Sequence, residues 1–241
     1  MKEPKVYEFK LKIYAMVDIP RENTYAILAN YIDSYLAKQE DFLDFHETNC
    51  YKNYTFDQPY KLESDGIYKE GSVYIVRIRT VDKRLAMYFN EGLADHRNRE
   101  VKGLSARMRV IPKKVIKEIY AITPTIVKFD KNKEEEKENA YWRNYMGLER
   151  YEERLKNNLM KKYQNLMKEE IETDFDLYTQ ISFMNQKPIS VPYKKIRFIG
   201  DKVALQIADN ETAQNLAYLA IGTGLGELNS RGFGFVNYRY L

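Results

Sequence analysis

Apolar and polar residues alternate in part from Tyr7 to Met16 (YEFKLKIYAM), which predicts a strand with one face buried. Pro20 then opens a run in which Tyr25, Leu28, Ala29, Ile32, Tyr35 and Leu36 recur at i, i+3, i+4, i+7 spacing. That period predicts an amphipathic helix of about 19 residues, and it leaves Tyr31 off the apolar stripe. Asp41 to Glu47 is acidic and reads as a loop or short turn. Cys50 to Phe56 is strand-like, and Ser72 to Val81 (SVYIVRIRTV) is a clearer strand. Lys83 to Leu93 reads as a second amphipathic helix. Val101 to Ile111 reads as a fourth strand, with Arg107 and Arg109 on one face.

This order, β-α-β-β-α-β, is that of the ferredoxin-like unit. Ile111 to Lys117 (IPKKVIK) reads as a boundary, after which the same order recurs. Ile119 to Phe129 is a strand, Asp130 to Asn139 (DKNKEEEKEN) a charged insertion, and Tyr145 to Glu170 a long helix. Ile171 to Met184 is extended, and Lys194 to Ile207 contains a hairpin turned at Gly200-Asp201. A helix runs from Asn210, its N-cap, through Leu219, and Phe233 to Tyr240 is the last strand. The expected fold is α+β, with tandem ferredoxin-like (RRM-like) βαββαβ units: an N-terminal domain over 1–115 and a C-terminal domain over 116–241. No clear sequence repeat relates the two.

Composition narrows the chemistry. Hydrophobic residues at 44% of 241 supply a real core, while 39 Lys+Arg against 35 Asp+Glu leave a net charge of only +4. A polyanion site must therefore come from local clusters. The 21 tyrosines suit base stacking as well as β-rich cores. One cysteine, Cys50, allows no intramolecular disulfide and fits a reducing cytoplasm. No apolar run approaches the roughly 20 residues of a membrane helix, and the N-terminus has no apolar signal core. One Cys and two His exclude a Cys/His zinc cluster; a carboxylate magnesium site stays open, though no Asp/Glu spacing marks one, and no cofactor is expected.

The most specific feature is Gly222 to Phe235, GTGLGELNSRGFGF. Glycine permits positive φ and close backbone approach, and consecutive exposed amides in such a loop can bind phosphate oxygens. Arg231 adds charge; Asn229 and Ser230 add hydrogen-bonding groups. A dinucleotide site needs a strand leading into a helix, whereas here a helix precedes and a strand follows. The bland alternative is a tight connection packed on the core.

The run GLGELNSRGFGFV closely resembles the C-terminal signature of the CRISPR-associated repeat-RNA endoribonucleases, members of the repeat-associated superfamily built from ferredoxin-like units. The resemblance is specific from about Ala220 onward and weaker around His46. It implies that the loop, through Gly222, Gly224, Gly226, Gly232 and Gly234, helps hold RNA. It also implies a catalytic His just after the first helix, a place that His46 fits in FHETNCYKNYTF, with Tyr31 and Lys52 completing the trio found in some members. His suits proton transfer near neutral pH, Tyr can share in it, and Lys can stabilise charge developing on phosphorus. Each has a plainer reading: a surface loop histidine, a packed tyrosine, an ordinary surface lysine. His96, in DHRNR, reads as a solvated loop residue.

Arg107, Arg109, Lys113 and Lys114 cluster near the end of the first unit, and Lys194, Lys195 and Arg197 on the second unit's hairpin. Either set could contact phosphates or simply solvate a strand. The resemblance implies metal-independent cleavage of CRISPR precursor transcripts into guide RNAs, leaving a 2′,3′-cyclic phosphate and a 5′-hydroxyl. It allows a CRISPR effector complex and a second copy of the chain as further partners. Two rivals stand beside it: a non-catalytic subunit of an effector complex that grips repeat RNA, and a scaffold that binds none.

Overall fold

The computed structural model describes residues 4–48, 50–128 and 141–241, with the side chains of residues 45–47 set aside. The expected charged insertion at 130–139 lies outside the described residues. The first half runs β1 (Val6–Ala15), β2 (Ile19–Pro20), α1 (Thr24–Leu36), α2 (Glu40–Glu47), β3 (Tyr54–Phe56), β4 (Ile67–Tyr68), β5 (Val73–Thr80), α3 (Lys83–Gly92) and β6 (Val101–Ile111). The second runs β7 (Ile116–Ala121), α4 (Leu148–Met167), β8 (Tyr178–Phe183), β9 (Ile189–Tyr193), β10 (Ile196–Gly200), β11 (Val203–Ile207), α5 (Glu211–Thr223) and β12 (Val236–Tyr240).

Two four-stranded antiparallel sheets result, ordered β3-β5-β1-β6 and β12-β7-β11-β8. Counting the four principal strands of each half in chain order, both sheets place the first between the third and the fourth, with the second at the far edge. That is the ferredoxin-like ladder, twice. Alternation decides which face is buried: Phe9, Leu11 and Ile13 of β1 point inward beside Val76 and Ile78 of β5. The caps are local and legible. The Asp82 carboxylate accepts from the Arg84 and Leu85 amides, and Asn210 Oδ1 accepts from Ala213 N at 2.8 Å.

Several expectations shift. Helix α1 spans 13 residues and starts at Thr24, because Arg21–Asn23 form a 3₁₀ turn behind Pro20. The acidic segment after it is helix α2 rather than a loop: Glu40 and Asp41 occupy its positively polarised first turn, and Phe42 is buried, stacked on Tyr88 at 4.6 Å. Strand β7 ends at Ala121, not Phe129. Helix α5 runs to Thr223, which puts Gly222 in its last turn.

The expected hairpin turn at Gly200-Asp201 is wrong. The hairpin is β9–β10, turned at Lys194 (φ 56°), while β11 pairs with β7 and β8. Gly200 and Asp201 instead carry the chain from hairpin to sheet. Asp201 accepts from Tyr141 Oη, Trp142 Nε1 and Asn185 Nδ2 at 2.7–2.8 Å, and a Cβ on Gly200 would lie 2.4 Å from Thr125 O. Those partners are distant in sequence, so no local signal marks them.

The halves share their cores. Val6, Val81 and Ile111 pack in the second half's cluster, while Ile126, Val191, Tyr193 and Phe233 pack in the first's. A buried charge also crosses between them. Arg79 donates to Glu8 Oε2 (2.7 Å) and to Val236 O (2.6 Å), and Arg109 donates to Glu8 Oε1 (2.8 Å). Burial pushes the Glu8 carboxyl up, but the two guanidiniums outweigh it and hold the group below the usual carboxylate range. Among the described residues no helix is long and apolar enough to cross a membrane.

Candidate nucleic-acid interface

A cleft of about 700 Å³ opens between the halves. One wall is Cys50 to Tyr54, leading into β3. The second is the polar face of α4, with Arg150, Arg154, Asn157 and Lys161 at i, i+4, i+7, i+11. The third is the glycine-rich loop, from Gly226 to Arg231. Among the described residues the lining cations are Lys52, Lys128, Arg150, Arg154, Lys161, Arg231 and the buried Lys162, against two carboxylates, Glu153 and Glu227. The overall charge of +4 concealed this imbalance, because folding rather than composition concentrates it.

The loop glycines are set against protein, not exposed to solvent as expected: Gly222, Gly224, Gly226, Gly232 and Gly234 are all buried. A Cβ on Gly222 would lie 2.5 Å from Val81 Cγ1, one on Gly232 2.6 Å from the Phe56 ring, and one on Gly234 1.9 Å from Leu225 O. The last four also have positive φ, from 66° to 87°. Most of the amides expected to face a ligand are bonded internally: Leu225 N to Gly234 O, Glu227 N to Ile126 O, Gly232 N to Asn229 O and Gly234 N to Pro124 O, each at 2.8–2.9 Å. A loop this compact satisfies its own donors, because buried N–H groups left unpaired are costly. What it offers the cleft is its rim. Ser230 is half-buried and Arg231 exposed, the guanidinium lying 5.3 Å from the centre of the Tyr193 ring.

The structure brings Lys52 to this cleft. Its Nζ donates to Thr48 O at 2.6 Å, just beyond the end of α2. His46 stands in the last turn of α2 rather than in a loop, and its side chain lies outside what is described. Tyr31 is not brought to the cleft. It is fully buried, its hydroxyl donating to Leu93 O and to His96 O, and burial pushes that hydroxyl far above the ordinary tyrosine range. Helix α1 is covered on two sides, so its buried face is broader than the stripe read from the sequence. Gly103 leaves room for the phenol, since a Cβ there would lie 2.5 Å from Tyr31 Oη.

His96 is likewise not solvated. It is buried, 5.0 Å ring to ring from Tyr31, with Nε2 2.9 Å from Ser34 Oγ; burial, then Lys38, pushes its pKa down. Lys194, Lys195 and Arg197 are exposed on the β9–β10 hairpin, outside the cleft lining, with Arg197 Nε bonded to Ser190 Oγ.

Sequence reasoning missed Lys162. It is buried on α4, and its Nζ donates to Gly224 O (2.9 Å), Gly226 O (2.8 Å) and Asn229 Oδ1 (2.7 Å). The Asn229 amide in turn donates to Leu225 O and Phe233 O. A signal existed: Tyr151, Leu155, Leu159 and Lys162 fall at i, i+4, i+8, i+11, so a lysine stands on the apolar stripe.

Burial pushes the Lys162 ammonium down to about 7, and Glu227 opposes the shift. Its folded value is therefore below its unfolded one, near 10.4. Below pH 7 both states hold the proton and the burial cost is fully present. As pH rises from about 7 toward 10.4 the unfolded chain binds more protons, so this residue's contribution to stability increases. Denaturant unfolding at about pH 6.5 and about pH 9 should show that rise in the wild type, and Lys162→Met should lack it.

The model of the family described as CRISPR associated protein Cas6, C-terminal, matches residues 107–238, more than half of the chain. The chain belongs to the Cas6 family. Solved structures agree in fold. An RAMP protein binding different RNA substrates aligns with a TM-score of 0.70 at 18% identity, over 97% of this chain and 99% of that one. A Cas6-related protein from Pyrococcus furiosus gives 0.67 at 20%, over 98% of both. A Cas6 product complex gives 0.63 at 14%, over 98% of this Cas6 chain and 100% of its own. Among curated proteins none matches in sequence.

Proposed function

We propose that this Cas6 protein grips CRISPR repeat RNA in the cleft between its halves, 1–115 and 116–241, and cuts precursor transcripts into guide RNAs without a metal. The observation that carries the reading is the cleft itself. One cationic groove joins Lys52, the α4 stripe and the rim of the glycine-rich loop, and the similar fold of an RAMP protein that binds different RNA substrates points to the chemistry of the partner. In the proposed reaction the 2′-hydroxyl before the scissile phosphate gives its proton to a base and its oxygen attacks phosphorus. The bond to the 5′-oxygen breaks, leaving a 2′,3′-cyclic phosphate, and the departing oxygen takes a proton to become a 5′-hydroxyl. His46 is assigned proton transfer and Lys52 stabilisation of the phosphorane charge. The exposed hairpin cations Lys194, Lys195 and Arg197 are assigned outlying phosphates.

The deciding experiment incubates the protein with labelled repeat RNA in chelator. A single cut is expected. A substrate carrying a 2′-deoxy sugar at the cut should bind equally well and stay intact. Cutting of the deoxy substrate, or strict dependence on added magnesium, would overturn the mechanism. The burial of Tyr31 favours the rival, a non-catalytic binder, because it removes one of the three expected reactive groups. Tight binding without any cut would establish that rival.

Cleft cations should also register in salt dependence. Replacing Arg150 and Lys161 together by Gln should weaken binding of every RNA sequence alike and flatten the log K against log[salt] slope by roughly one to two. Titrations at three salt concentrations measure this, and an unchanged slope would remove α4 from the interface.

A further inference from the structure

Lys162 is buried in a helix whose neighbouring turns carry the cleft's exposed cations. Its three ammonium protons meet three acceptors, two loop carbonyls and the side chain of the loop's only asparagine. All three lie between the end of α5 and the rim residues Ser230 and Arg231. Asn229 passes the constraint onward, because its amide nitrogen holds Leu225 O and Phe233 O on either side of the rim. The ammonium is therefore the centre on which the loop is wound. It draws the Gly224 and Gly226 carbonyls down toward α4 and fixes where the 3₁₀ turn Asn229–Arg231 stands over the cleft.

Packing alone gives no reason for a charge here. A methionine would fill nearly the same volume, and burying an ammonium is costly even when it is fully hydrogen-bonded. What methionine could not do is satisfy three inward acceptors.

We propose that Lys162 is a positioning residue for RNA: it holds the glycine-rich loop so that Ser230 and Arg231 present themselves to the RNA backbone across from Lys52. The proposal rests on the RNA-binding reading above. Lys162 lines the cleft but is buried there, its ammonium turned to the loop's acceptors, so an effect on affinity is predicted rather than one on the chemical step.

The test uses the full-length protein and labelled CRISPR repeat RNA of the source genome. Lys162→Met should bind at least 10-fold more weakly, while its single-turnover rate at saturating RNA stays within about threefold of wild type. Unchanged affinity, or a loss confined to the saturating rate, would overturn the proposal. Should the variant fail to fold, the wild type decides. A buried, hydrogen-bonded ammonium exchanges slowly enough for its ¹⁵Nζ resonance to be followed by NMR, and saturating RNA should move the Lys162 signal. A resonance that RNA leaves in place would overturn the proposal equally. If the wild-type protein binds no repeat RNA, the functional reading itself has failed. If the wild type binds and Lys162→Met binds as well, only the role of Lys162 has.

Discussion

Gly234→Ala is expected to be among the most damaging single substitutions in the chain, costing roughly 3–5 kcal/mol of stability. Its φ of 66° is left-handed, which by itself costs a side chain about 1–2 kcal/mol. The added methyl would lie 1.9 Å from Leu225 O, a backbone atom that cannot swing aside. Leu225 O also accepts from the Asn229 amide, and Leu225 N donates to Gly234 O. Relief of the clash therefore breaks the loop's own bonds and disturbs the group held by Lys162. Denaturant unfolding measures the loss, and RNA affinity should fall with it. Gly66→Ala is the comparison. It also has positive φ, 74°, but nothing lies within 4 Å of the new methyl, so about 1 kcal/mol is expected. Equal costs for the two would mean that φ, rather than the closeness of the loop, governs the effect.

The second large effect concerns the proposed chemistry. His46→Ala should slow single-turnover cleavage roughly 10²-fold or more while leaving repeat-RNA affinity intact, the usual scale for a lost general acid or base. The case rests on placement: the last turn of α2 leads through Thr48 to Lys52, which bonds back to Thr48 O. Lys52→Ala should cost less. Tyr31→Phe removes a hydroxyl that bonds only inside the fold among the described residues. It should cost about 1–3 kcal/mol of stability and little rate. His96→Ala empties a site packed against Tyr31 and Tyr35, so it should lower the melting temperature while cutting nearly normally below it. A rate loss on His96→Ala with none on His46→Ala would reverse the assignment.

These contrasts show how legibility divided. Strands β1, β5 and β6 and the cap at Asn210 were readable because alternation and capping are properties of neighbouring residues. The doubled element order was readable from the same signals, and the glycine-rich run stood out by composition. The use made of those glycines did not. Positive φ can be guessed from glycine, but the atoms a Cβ would strike, Val81 for Gly222 and Phe56 for Gly232, come from the other half of the chain.

What the sequence determined by itself was the α+β class and the order of the eight principal strands, since each rests on patterns a few residues long. Only the tertiary structure decided that Tyr31 and His96 are interior, that the hairpin turns at Lys194, and that a lysine on the apolar stripe of α4 is the pin of a loop some sixty residues away. Burial and hydrogen-bond partnership depend on what packs above a residue, and in this chain the covering element is nearly always distant in sequence. The surplus of positive charge in the cleft has the same origin: a net charge of +4 is spread along 241 residues, and folding alone draws Lys52, Arg150, Lys161 and Arg231 to one place.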